Sequence, residues 1–110
     1  MIDIELKRKE AKTLTFTIKD SNGVVIDVSN PTTVEFVVKD SLDVGTTIIS
    51  KVNADFDKTN ASSGVVKVNL STTNTDNVGN FIGELKISFS GTNIDKSDYI
   101  TIRIREAVTT

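Results

Sequence analysis

The stretch Asp76-Asn77-Val78-Gly79-Asn80-Phe81-Ile82-Gly83-Glu84-Leu85-Lys86-Ile87-Ser88-Phe89 decides the fold. From Phe81 onward it alternates. Phe81, Gly83, Leu85, Ile87 and Phe89 fall on one side, and Ile82, Glu84, Lys86 and Ser88 on the other. A period of two belongs to a strand with one face buried. The polar lead-in, Asp-x-x-Gly-x-Phe, is a turn that delivers an aromatic into a core. Gly83 sits mid-strand on the inward face, which predicts a bulge or close approach by another side chain.

The same period recurs outward from this strand. Leu14, Phe16 and Ile18 alternate with Thr15, Thr17 and Lys19; Val34, Phe36 and Val38 alternate with Glu35, Val37 and Lys39. Val66, Val68 and Leu70 alternate with Lys67 and Asn69, and Ile100, Ile102 and Ile104 with Tyr99, Thr101, Arg103 and Arg105. Ile2, Ile4 and Leu6 make a short first strand. Residues 46–52 are β-branched without clean alternation and make a weaker one. Asp20-Ser21-Asn22-Gly23 is a turn, because Asn and Gly tolerate positive φ and Asp caps its own backbone. Val24 to Val28 continues extended. Ser29-Asn30-Pro31 is a break, since the single Pro donates nothing to a ladder. Residues 40–45 read as a loop, 53–64 as a long polar connection, 71–80 as a crossing loop and 91–93 as a turn. No segment shows a 3.6-residue apolar period.

Short strands separated by turn signals predict an all-β chain, an immunoglobulin-like antiparallel β-sandwich of about seven or eight strands. One domain is expected over 1–105, with a loose tail over 106–110. The predicted core is Leu14, Phe16, Ile18, Val34, Phe36, Val38, Val66, Val68, Leu70, Phe81, Leu85, Ile87, Ile100, Ile102 and Ile104.

Composition narrows the chemistry. With 37% hydrophobic and 25% charged residues in 110, the chain supports one packed core rather than disorder. There is no Cys and no His. That removes disulfides, thiolate or imidazole metal sites, serine and cysteine triads and a His general base. The net charge of −2 points to neither nucleic acid nor a membrane surface. The N-terminus is charged and alternating, unlike a signal peptide. No apolar run approaches the about 20 residues of a membrane span.

Paired carboxylates remain. Asp55 with Asp57, or Asp95 with Asp98, is the arrangement a glycosidase would need. They lie in polar loops, and one Tyr and no Trp are present to stack on a sugar. We read them as turn residues and expect no enzyme. The same loops, with Asp40 and Asp43, offer oxygen ligands that make calcium the cofactor to consider, although none has an EF-hand spacing. Otherwise no cofactor is expected. Lys7-Arg8-Lys9 with Lys12 is the basic run. Glu5 and Glu10 flank it and no aromatic interleaves, so it reads as a solvated sheet edge. Asn60-Ala61-Ser62 and Asn69-Leu70-Ser71 match the glycosylation triplet, which has no meaning without secretion.

Asp76-x-x-Gly79-x-Phe81-x-Gly83 departs from the antibody tyrosine corner. Phe81 has no hydroxyl and Gly83 replaces the bridging Cys. The order of parts instead resembles another group. Thr13-Leu14-Thr15-Phe16-Thr17-Ile18-Lys19-Asp20 precedes Asn22-Gly23, and Val34-Glu35-Phe36-Val37-Val38-Lys39-Asp40 follows. Then come Gly64-Val65-Val66-Lys67-Val68-Asn69-Leu70 and Gly79-Asn80-Phe81-Ile82-Gly83-Glu84-Leu85-Lys86-Ile87. This resembles the immunoglobulin-like N-terminal domain of phage baseplate upper proteins over residues 13–90. Phe81 stands where that family usually has Tyr, and the 53–63 connection is longer.

The resemblance implies a non-enzymatic phage or prophage virion module of tail, baseplate or head decoration. Its localisation would be the virion after synthesis in the host cytoplasm, with other virion structural proteins as partners and neither nucleic acid nor membrane. The alternative from another class is a carbohydrate- or calcium-binding module of a bacterial surface protein. The third, sixth and seventh strands of such a sandwich lie side by side. Val37, Ile82 and Tyr99 are then expected on one outer face, as the contact for a homo-oligomer or a docked partner.

Overall fold

The alternating stretches pair as strands. They are β1 (Ile2–Lys7), β2 (Lys12–Thr17), β3 (Thr33–Lys39), β4 (Thr47–Lys51), β5 (Phe56–Asp57), β6 (Val65–Leu70), β7 (Gly79–Ser88), β8 (Ile94–Lys96) and β9 (Ile100–Arg105). The computed structural model describes residues 2–29, 32–40, 45–89, 94–96 and 100–108. Two sheets result. The larger runs β1-β9-β7-β3-β4, with β8 also paired to β7, and the smaller runs β2-β6-β5. The orders β9-β7-β3-β4 and β2-β6-β5 are those of an immunoglobulin-like sandwich.

The organising strand, β7, is long because three strands use it. Val34 and Phe36 of β3 lie opposite Ile87 and Leu85 on one side. On the other side Ile102 and Ile100 of β9 lie opposite Phe81 and Gly83, and β8 takes over along Lys86–Ser88. The inward faces of the two sheets make the core, where the Phe16 and Phe36 rings meet at 5.4 Å and 49°. Every residue of the expected core is buried in one cluster. Gly83 fits its reading as a close approach: a Cβ there would stand 3.1 Å from the Phe36 ring and 3.2 Å from a Val38 methyl. The turn after β2 also forms as expected. Gly23 has φ +81°, and an Asp20 carboxylate oxygen accepts from the Asn22 and Val24 N–H groups at 2.8 and 3.0 Å.

The structure changes two expectations and adds to two others. The sandwich is not wholly antiparallel, because β1 runs parallel to β9, Ile4 opposite Ile102 and Leu6 opposite Ile104. Side-chain period identifies a strand's faces but carries no direction. Direction is set by the crossing at 8–11, where Lys9 takes φ 62° and Arg8 N–H donates to Arg105 O. The 53–64 connection is not merely polar. Two 3₁₀ turns, Asn53–Asp55 and Ala61–Ser63, bracket β5 and bury Phe56 and Ala61. Val24 to Val28 does not form a ladder strand. It makes one bridge, Val25 to Lys19, and then buries Val28, whose N–H donates to Ala61 O. Finally, a short strand that the sequence did not announce, β8, pairs with β7 ahead of β9. The expected break at Asn30-Pro31 and the turn at 91–93 lie outside the described residues. Of the expected tail, Glu106 accepts from Arg8 at 3.4 Å and Val108 is exposed.

Candidate functional site

The outer face of the larger sheet brings the expected contact residues into register. Val37 is opposite Glu84 on β7 and Ser50 on β4. Ile82 is opposite Lys39 on β3 and Thr101 on β9. Because Val37 pairs with Glu84, Ile82 is its diagonal neighbour on the same face. Both are half-buried. Tyr99 lies outside the described residues. Around the two apolar side chains the face is charged. Glu35 stands opposite Lys86, and Arg105 reaches Glu5 at 3.1 Å. The described part is a two-residue apolar centre in a charged field.

The loop carboxylates are occupied with their own backbone. Asp40 accepts from Thr46 N–H at 2.7 Å and Asp55 from Val52 N–H at 2.9 Å. Asp57 accepts from the N–H and hydroxyl of Thr59 at 3.0 and 2.6 Å. Asp95 is exposed on β8, while Asp43 and Asp98 lie outside the described residues. Among the described residues no three acidic groups come together as a metal site. No described helix is long and apolar enough to cross a membrane.

Two features at the sheet ends were not legible in the sequence. Arg8, from the basic run, bridges Asp76 at 3.1 Å and Glu106 at 3.4 Å, and these bonds raise its pKa. Its partners lie 68 and 98 residues away, so no local spacing announces them. Lys58 donates to Asn53 Oδ1 at 3.1 Å, and the same oxygen accepts Val34 N–H. Burial lowers the Lys58 pKa. That clamp ties the 53–64 connection to the start of β3.

Asp27 and Asp57 are both held below the ordinary 3.8. Hydroxyl and then backbone bonds from Ser29 act on the first, and from Thr59 on the second. A carboxylate with a depressed folded pKa stabilises fully above its unfolded pKa. That stabilisation is lost as pH falls through the folded value. The acid limb of thermal stability, below about pH 4, should therefore be shallower in an Asp27→Asn/Asp57→Asn variant. The wild-type advantage at neutral pH is small, because both groups are exposed, and it vanishes in acid. Melting curves that stay parallel from neutral to acid pH count against this assignment.

No family model matches the sequence, and no curated protein matches it. Solved structures do. The N-terminal domain of phage TP901-1 ORF48 superposes with a TM-score of 0.63 at 11% identity, over 93% of this chain and 83% of that one. The Ig-like domain of mouse leukocyte-associated immunoglobulin-like receptor 1, in a strand-swapped dimer, gives 0.48 at 12% identity over 93% and 86%, too low to carry an argument. The chain is an immunoglobulin-like β-sandwich that resembles, in fold, the N-terminal domain of a phage protein.

Proposed function

We propose that this chain is a non-enzymatic structural module of a phage or prophage virion, in tail, baseplate or head decoration, acting through protein–protein contacts. The observation that carries the reading is the likeness to a phage protein's N-terminal domain across 93% of the chain. The chemistry is compatible: no His or Cys is present, and described loop carboxylates cap turns. The partners are other virion structural proteins or a second copy. The test is mass spectrometry of purified particles from a host carrying the gene. The chain should co-purify at a fixed ratio to a tail or head protein. Its absence from intact particles rejects the reading.

The calcium alternative is separated by a thermal melt. A ligand that binds only the folded state raises Tm. We expect the same Tm with and without millimolar calcium, and a rise of several degrees would favour the surface-protein module.

The outer face supplies a contact candidate at Val37 and Ile82, with Tyr99 as the third expected member. Ile82→Lys places a second cation opposite Lys39 and leaves the inward face untouched. It should lower the solution mass by light scattering with little change in Tm. A wild-type monomer at high concentration rejects the homo-oligomer, and an unchanged oligomer in the variant moves the interface elsewhere.

A further inference from the structure

Four strands end a sheet path: β1 and β4 in the larger sheet, β2 and β5 in the smaller. Natural sheets blunt such edges with short length, bulges or charge. β5 has two residues, β4 meets a register shift at Val38/Lys39, and β1 carries Asp3, Glu5 and Lys7. β2 has none of these along its middle. Its sequence is Lys-Thr-Leu-Thr-Phe-Thr, it pairs in unbroken register with β6, and the nearest lysines are Lys12, its first residue, and Lys19, two residues beyond its end.

The direction of its hydrogen bonds shows what is unpaired. Ile18 N–H donates to Gly64 O, and Ile18 O accepts from Ile26 N–H, both on the β6 side. Alternate residues of an antiparallel strand send both backbone groups the same way. Residues 12, 14, 16 and 18 therefore face β6. The N–H and C=O groups of Thr13, Thr15, Thr17 and Lys19 face away, with no backbone partner among the described residues.

Beside this edge lies a cleft of about 1090 Å³. Leu14 and Phe16 line it from β2, Ile18 from just beyond that strand, Ile4 from β1, and Leu85 and Ile87 from β7. Leu14, Phe16 and Ile18 keep 6–7% exposure, whereas Val66 and Val68, one strand further in, keep 0–1%. The small sheet is thus open by one strand position, and β1 forms the opposite wall.

We infer that the free edge of β2 receives an extended segment of a partner polypeptide as an added strand. The segment has about seven residues, the span of the free groups, with apolar side chains alternating toward the cleft and an acidic one opposite Lys19. Main-chain bonds supply affinity in this mode, and alternate side chains supply selectivity. A lone segment fits better than a second copy. Two sandwiches joined β2 to β2 would bring both β1 strands to the same two-fold axis. This inference deepens the contact reading above, but it rests on edge geometry alone, and its test needs no virion.

The probe is the peptide acetyl-Asp-Val-Thr-Val-Thr-Val-Asp-amide, titrated into the isotopically labelled chain and followed by amide NMR. We expect the amides of Thr13, Thr15, Thr17 and Lys19 to exchange freely in the chain alone, and saturable shifts at or below about 1 mM centred on these four. Thr15→Pro, at a position whose N–H has no partner among the described residues, should abolish the shifts. Should that variant not fold, N-methylating the peptide at its two Thr should weaken binding about tenfold. Unsaturable shifts, shifts centred elsewhere or an indifferent N-methyl peptide overturn the inference. So does prior protection of these amides: in a monomer the chain covers its own edge, and in a dimer a second copy does.

Discussion

Phe36→Ala should lower the unfolding free energy by about 3–5 kcal/mol, the cost of emptying a buried aromatic site. The ring is fully buried at 0% exposure. It stands between the sheets, tilted against Phe16 at 5.4 Å and facing the bare Cα of Gly83. Its neighbours sit on paired backbones in β2, β3 and β7, so the hole has little freedom to collapse. For a domain of this size the loss is on the order of 15–20 °C in Tm. Urea unfolding gives the measurement, with the midpoint falling at unchanged slope. Val37→Ala, one residue along and on the other face, is the control and should cost far less. A loss below about 1 kcal/mol at position 36 would mean the inward face of β3 is misassigned, since a one-residue slip exchanges the two faces.

That contrast explains why the core was legible. In β2, β3, β6, β7 and β9 one face is buried and the other wet, so the period of two is written in the side chains. Leu6, Val28, Ile49, Phe56 and Ala61 also belong to the core, and all but Leu6 lie where that period fails. Leu6 keeps the period, near the end of the short edge strand β1. Ile49 sits beside a bulge, where one residue more on β4 breaks the alternation. Phe56 opens the two-residue β5 and Ala61 opens the second 3₁₀ turn, both among polar residues. There the apolar side chain is placed by the path of the backbone rather than by repetition.

The candidate contact face was half legible for a related reason. Alternation put Val37 and Ile82 on the outward side, and strand order in the sandwich put β3 beside β7. What no single strand reveals is who lies opposite whom. Glu84 and Lys39 fall against the two apolar residues, and only the paired register shows the charged surround. The open edge of β2 was not legible at all. Its residues read as half-buried strand whether or not another strand lies alongside, because an edge differs from a centre only in main-chain bonds.

Gly64→Ala should be among the most damaging small substitutions, costing roughly 2–5 kcal/mol from two additive causes. Gly64 takes φ +78°, a left-handed conformation at the end of the Ala61–Ser63 turn. An L-residue is strained there by about 1–2 kcal/mol. The second cause is local crowding. A Cβ would lie 2.8 Å from Ile18 O and 3.0 Å from Ile26 O. Both are main-chain atoms that no rotamer change can move. They belong to the knot where β2 ends, residues 24–28 return and β6 begins, held by Ile18 N–H on Gly64 O at 2.8 Å. Relief requires parting that bond or shifting two backbones. Gly23 separates the two causes, because it has φ +81° but nothing within 4 Å of its would-be Cβ. Gly23→Ala should therefore show only the conformational cost, and Gly23→Asn almost none, since Asn tolerates this region. At position 64 Asn still carries the offending Cβ. Gly64→Asn should recover only the conformational share and keep the crowding cost, about 1–3 kcal/mol in chemical unfolding. Full rescue by Asn at 64 would show that strain alone required the glycine, and that the β2–β6 junction yields to a methyl group.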